Sequence, residues 1–134
     1  MEKDQEGTPE GTLVLVDTSV WISLYRRERS EVGQRIWSLV AENRAALCGQ
    51  VWVEYLGGFR REVERHHHAK GMRAFPFLST DREAFEKAAE LVARYPRLGP
   101  GDAIIAATAM TTRSSLFTLD HDFLPLVSEG LKLH

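Results

Sequence analysis

The chain of 134 residues contains one cysteine, no long apolar run and no excess of positive charge, and each shortage narrows what it can be. Cys48 alone cannot build an internal disulfide framework, and its solitude fits a reducing compartment better than a secretory one. No stretch approaches the roughly 20 apolar residues needed to span a bilayer. The first residues, MEKDQEGTPEG, are acidic where an export signal would be basic and then apolar. A cytoplasmic protein with no membrane association is expected. The net charge of -2 argues against a broadly basic, nucleic-acid-coating surface. That charge is uneven: residues 1–11 carry -3, which leaves the rest of the chain at +1.

With 43% hydrophobic and 27% charged residues, the composition is that of a globular protein, and the length suits one domain rather than two cores. Residues 1–11 contain almost nothing apolar and are expected to form a flexible tail. The folded domain is expected over 12–134. Leu13, Val14, Leu15 and Val16 form a continuous apolar run, the pattern of a strand buried on both faces, as in a parallel sheet. Two helices follow, the second with Val32, Ile36, Leu39 and Val40 at helical spacing. Short strands are expected at 45–48, 75–78 and 116–119, with a fifth at 131–133. Helices are expected at 50–60, from Asp81 to about Tyr95, and at 103–111, the last alanine-rich and able to lie close to a sheet. Residues 60–73, the most basic stretch, read as a solvated helix or loop. The alternation of strands and helices implies a parallel α/β sandwich.

Of only six aspartates, Asp17, Asp102, Asp120 and Asp122 occupy informative places. Asp17 and Asp120 are expected at the carboxyl ends of apolar strands, the edge of a parallel sheet where ligands bind. Asp102 falls in the first turn of a helix after Gly99-Pro100-Gly101, and Glu54 is the one charge in the apolar segment VWVEYLGGF. Taken singly, Asp17, Asp102 and Asp120 read as caps, and Glu54 could pair with Arg60 or Arg61. Taken together, they are acids at the ends of different elements with no lysine or arginine adjacent. Converging carboxylates repel one another unless a divalent cation sits between them, and hard oxygen donors suit Mg²⁺ or Mn²⁺.

Four segments, DTSVWI from Asp17, VWVEYLGGF around Glu54, GPGDAIIAATA around Asp102 and TLDHDF from Thr118, occur in an order and spacing that resembles PIN-domain nucleases of the VapC toxin type. The similarity runs from about Thr12 to His134. It implies a PIN-like three-layer sandwich with a central parallel sheet flanked by helices. It also implies a metal-dependent endoribonuclease, inhibited by a cognate antitoxin protein encoded alongside and forming a homodimer. Carried over residue by residue, Asp17, Glu54, Asp102 and Asp120 fall on the family's catalytic, metal-binding acids, and Asp122 belongs to the same last motif, either as a further metal ligand or to hold its neighbours. Ser19 matches a small hydroxyl residue that supports the site. Mg²⁺ is the implied cofactor, with Mn²⁺ as a substitute, and an RNA phosphodiester the implied substrate. A local basic patch would supply RNA affinity, either Arg26, Arg27 and Arg29 or the stretch 60–73.

Other features read more plainly. Adjacent His66, His67 and His68 cannot all reach one ion from a regular element. Cys48 reads as a small buried apolar residue. Trp21, Trp37 and Trp52 read as core, with one or two available to an exposed patch. A phosphatase pattern would need a second aspartate where Ser19 stands, and a receiver domain a lysine ending a late strand. The competing reading is a non-catalytic interaction module whose acids are structural caps.

Overall fold

A computed structural model describes residues 11–26 and 30–134. The tail expected over 1–11, apart from Gly11, and the arginines at 27 and 29 lie outside the described residues. The strands are β1 (Val14–Val16), β2 (Ala45–Cys48), β3 (Phe77–Leu78) and β4 (Ser115–Phe117). They form one parallel sheet in the order β3-β2-β1-β4, flanked by helices. The helices are α1 (Thr18–Arg26), α2 (Glu31–Ala41), α3 (Gly49–Leu56), α4 (Glu62–Met72), α5 (Arg82–Arg94) and α6 (Pro100–Thr111). A 3₁₀ segment, His121–Glu129, follows β4. The parallel α/β sandwich expected from the sequence is the observed architecture.

Every residue of β1, β2 and β4 is buried, which is why β1 and β2 read as unbroken apolar runs rather than alternating ones, while β4 carries one buried polar residue, Ser115. α6 is apolar nearly all round, burying Ala103, Ile105, Ala106, Ala107, Thr108 and Ala109. Its small side chains let it pack between α3, α5 and β4 at close range. α4 is the opposite case: a polar helix that buries only Ala69 and Met72. The chain steps from β1 outward to β2 and β3, then returns to the far side of β1 as β4. The sheet therefore has its topological switch point between β1 and β4, the position beyond the carboxyl ends of the strands where open α/β sheets bind ligands.

Several boundaries differ from expectation for local physical reasons. β3 begins at Phe77 rather than residue 75, because Pro76 has no N–H to extend the ladder and contributes only its carbonyl, which accepts from the Leu47 amide at 2.9 Å. α3 stops at Leu56, before Gly57 and Gly58. β4 covers 115–117 rather than 116–119, so Asp120 does not terminate the strand but follows it by three residues. The fifth strand reduces to a single parallel bridge between Leu116 and Leu133. Residues 60–73 contain a true helix. Of the tryptophans, Trp21 is buried and Trp52 is half-buried against the core, but Trp37 is 46% exposed. α2 faces the core through Gly33, Ile36 and Leu39, and one residue beyond Ile36 turns about 100° away from that face.

The two-sided burial of the sheet yields a simple stability contrast. Leu47→Ala in β2 removes a fully buried side chain and should cost about 2–5 kcal/mol, whereas Val63→Ala on exposed α4 should stay within ~0.5 kcal/mol. Urea midpoints measured side by side check this.

Candidate metal centre

The site is assembled at the switch point, beginning with the register of β1 on β4. Val16 pairs with Phe117, and the next amide, that of Asp17, donates to the Phe117 carbonyl at 2.9 Å. Asp17 is thereby fixed beside Thr118 as both strands end. It is 4% exposed, and its carbonyl starts α1 by accepting from Val20. Two hydroxyls donate to Asp17 Oδ2, Ser19 Oγ and Thr118 Oγ1, each at 2.7 Å. Both hydroxyls also accept backbone amides, that of Leu119 on Ser19 at 3.1 Å and that of Asp120 on Thr118 at 3.0 Å. This lattice ties the β1–α1 junction to the segment after β4. Asp17 Oδ1 has no hydrogen-bond donor among the described residues, so a buried carboxylate oxygen is left with its lone pairs free.

Glu54 reaches the site from α3 and is half-buried. Its Oε1 accepts from Thr18 Oγ1 at 2.7 Å and its Oε2 from Gln50 Nε2, one helical turn earlier, at 2.8 Å. The amino end of α6 closes down on this carboxylate. A Cβ at Gly101 would stand 2.5 Å from Glu54 Oε2 and 2.8 Å from Gln50 Nε2, so any side chain there would push the Glu54 carboxylate and the Gln50 amide out of place. The expected pairing of Glu54 with Arg60 or Arg61 is not made among the described residues.

Asp102 is the third residue of α6, following Gly99 as N-cap and Pro100 at the first helical position. A helix amino terminus favours a carboxylate. Yet the Asp102 pKa is raised from 3.8 to about 6, first by burial and then by the charges of Asp17, Asp120, Glu54 and Asp122. Repulsion and desolvation outweigh the helix dipole, and every electrostatic influence on this group is that of another carboxylate. Asp120 caps the 3₁₀ segment, its Oδ1 accepting from the Asp122 amide at 2.9 Å, and Asp122 is exposed. The structure thus brings the five acids singled out in the sequence into one electrostatic neighbourhood. It also adds residues that the reading of the acids missed: Thr18, Thr118, Gln50 and Gly101. The two threonines lie inside the DTS and TLD segments, and Gln50 stands at i,i+4 spacing from Glu54, so a search for donors around the acids would have found them.

Among the described residues, no three acidic, histidine or cysteine side chains are drawn together tightly enough to hold an ion as they stand. The donor set nonetheless fits a hard divalent cation. It consists of carboxylates, one of them buried with an oxygen unpaired among the described residues and another whose pKa is raised by burial and then by its fellows, and a cation would relieve both conditions. The remaining candidates lie elsewhere. His66 sits 3.8 Å from Glu62, while His68 stacks on Phe59 with ring centroids 4.3 Å apart. Cys48 is buried, which pushes its thiol pKa up, away from nucleophilic character.

Residues 14–126 match the model of the PIN domain, and the chain belongs to that family. No curated protein matches it. Among solved structures, it is similar to a toxin–antitoxin complex from Klebsiella pneumoniae, at 26% identity and a TM-score of 0.71, covering 82% of this chain and 89% of that one. VapBC2 from Rickettsia felis, bound to a DNA fragment from its promoter, aligns over 92% of this chain and 98% of that one at 13% identity and a TM-score of 0.74. Mycobacterium tuberculosis VapC20, described as a sarcin–ricin loop cleaving toxin, aligns over 84% and 93% at 19% identity and a TM-score of 0.64.

The raised Asp102 pKa makes this carboxylate a liability in the metal-free protein. Its contribution to stability is intact below about pH 4, declines as the pH rises towards 6 and is lost above that. Asp102→Asn should therefore raise the melting temperature of the metal-free protein at pH 8 by roughly 3–8 °C, the gap closing towards pH 4. Added Mn²⁺ or Mg²⁺ should raise the melting point of the wild type progressively and that of the variant little. Thermal scans across pH and metal concentration check both.

Proposed function

We propose that the protein is a metal-dependent endoribonuclease hydrolysing RNA phosphodiester bonds, acting in the cytoplasm as the toxin of a type II toxin–antitoxin pair. The observation that supports this reading is the mutual electrostatic influence of Asp17, Glu54, Asp102, Asp120 and Asp122, none of which pairs with a lysine or arginine among the described residues. Asp17, Glu54, Asp102 and Asp120 would hold Mg²⁺, or Mn²⁺ in its place, with Asp122 at the margin. A divalent ion bound there lowers the pKa of a water and offsets charge on the phosphate. The chain's own part is to hold the donors in place. Ser19 and Thr118 orient Asp17 through Oδ2 and leave Oδ1 free, while Thr18 and Gln50 fix both oxygens of Glu54. Gly101 lets α6 deliver Asp102 without displacing Glu54.

An antitoxin partner is supported by the similarity to the Klebsiella pneumoniae toxin–antitoxin complex and to VapBC2. An RNA substrate is supported by membership of the PIN family and by the likeness to VapC20, and a homodimer by the family resemblance. The capping role of Asp120 would also serve a non-catalytic module, and catalysis separates the two readings. Asp17→Asn and Asp102→Asn should each lower metal-dependent RNA cleavage by at least ~10³-fold. Thr118→Val should lower it by roughly 10–100-fold, because it releases Asp17 without removing a carboxylate. The products should carry 5′-phosphate and 3′-hydroxyl ends. Mapping new RNA ends after induction without antitoxin measures this, and a 2′,3′-cyclic phosphate would refute hydrolysis by an activated water.

A further inference from the structure

A cavity of about 420 Å³ adjoins the acidic cluster, within the ~300–1,000 Å³ span of small-ligand sites. The connection between α5 and α6 contributes Tyr95, Pro96 and Arg97 to it, and the 3₁₀ segment contributes His121, Asp122 and Pro125. Asp122 belongs to both places: it borders the cavity, and its amide donates to Asp120 Oδ1 at 2.9 Å. The cavity therefore abuts the Asp120–Asp122 end of the acidic cluster.

Two properties of the lining define the occupant. Arg97 is exposed and makes no ion pair or hydrogen bond among the described residues. Its neighbours are engaged: Arg94 contacts Glu129 Oε1 at 2.6 Å, and Lys87 lies 3.7 Å from the same oxygen. Glu129 is thus already served, and Arg97 remains a cation with no partner beside a crevice of acids. Its backbone is fixed, since the Leu98 amide donates to the Tyr95 carbonyl at 2.9 Å and the Leu98 side chain is buried. The second property is the flat, stiff character of the walls. The Tyr95 ring is anchored by its hydroxyl, which donates to Glu129 Oε2 at 2.7 Å, and Pro96 and Pro125 lose little entropy when covered. A guanidinium beside flat apolar walls matches a phosphate joined to a base that has left its stack.

We propose that this cavity binds the RNA nucleotide flanking the scissile phosphate, with its base against Tyr95 and Pro125 and its phosphate on Arg97. The proposal rests on the ribonuclease reading and deepens it: the substrate presents an unpaired nucleotide, in a loop or a single strand, because a paired base cannot enter. Arg97 is a substrate-positioning residue and takes no part in bond breaking.

The test uses a labelled pool of random single-stranded RNA oligonucleotides, bound to full-length Asp102→Asn protein so that RNA is held without being cut. Adding Arg97→Gln should weaken binding roughly tenfold and reduce the slope of log affinity against log salt by about 1. Arg82→Gln removes the same charge at the other end of α5, whose axis runs ~18 Å from Arg82 to Arg94, and should change neither quantity. In the cleaving enzyme, Arg97→Gln should raise KM while kcat and the metal-dependent melting shift stay near wild type. Unchanged affinity and slope in Arg97→Gln, or an equal loss in Arg82→Gln, would overturn the subsite. If the wild type itself cuts no RNA with Mg²⁺ or Mn²⁺, the ribonuclease reading falls and the subsite with it. If the wild type cuts and Arg97→Gln cuts identically, only the subsite falls.

Discussion

The pairing of β1 with β4 is the constraint on which the site depends. With Val16 opposite Phe117 and the Asp17 amide on the Phe117 carbonyl, the two strands end side by side and hand Asp17 to Thr118. A one-residue slip would turn Asp17 to the other face of the sheet and strand a carboxylate in the core. The buried apolar faces of both strands penalise that slip. Core packing therefore does more than stabilise the fold, since it aims the first acid of the site.

Around that anchor, the protein has gathered like charges. Asp102 lies at a helix amino terminus, where an anion is ordinarily welcome, and is nevertheless driven to hold its proton to about pH 6. The local hydrogen bonds show how the cluster survives. Ser19, Thr118, Thr18 and Gln50 give Asp17 and Glu54 donors in place of cations, so the acids are oriented without being neutralised. A lysine or arginine in those positions would have neutralised the acids and stabilised the resting fold.

The same logic separates the acids from the rest of the surface charge. Glu129 is served by Arg94, Lys87 and the Tyr95 hydroxyl, and its pKa is lowered accordingly. Glu42 is paired with Arg44, and Arg82 faces Glu86 one turn along α5. The carboxylates at the switch point are set apart from these because, among the described residues, none of them makes an ion pair with a lysine or arginine. Arg97, which makes no ion pair or hydrogen bond among the described residues, lies at the edge of that region, in one cavity with Asp122.

Much of this was legible in the amino-acid sequence because it is local. Buried parallel strands must be apolar throughout, so 13–16 and 45–48 declared themselves. An acid following such a strand, or standing in the first turn of a helix after Gly-Pro-Gly, is conspicuous against that background, which is how Asp17 and Asp102 could be singled out. Boundaries governed by single backbone groups were less legible: Pro76 shortens β3, and β4 stops at Phe117, whose carbonyl accepts the Asp17 amide. Trp37 faces solvent although its spacing permits a helix core, since one position's rotation decides the face. The sequence by itself determined the fold class, the identity of the acids and their order along the chain. Only the tertiary structure decided which hydroxyl serves which carboxylate, why residue 101 has no side chain, and that Arg97 shares a cavity with Asp122. Those relations join residues distant in sequence, and their distances exist only once the strands are in register and α6 has docked.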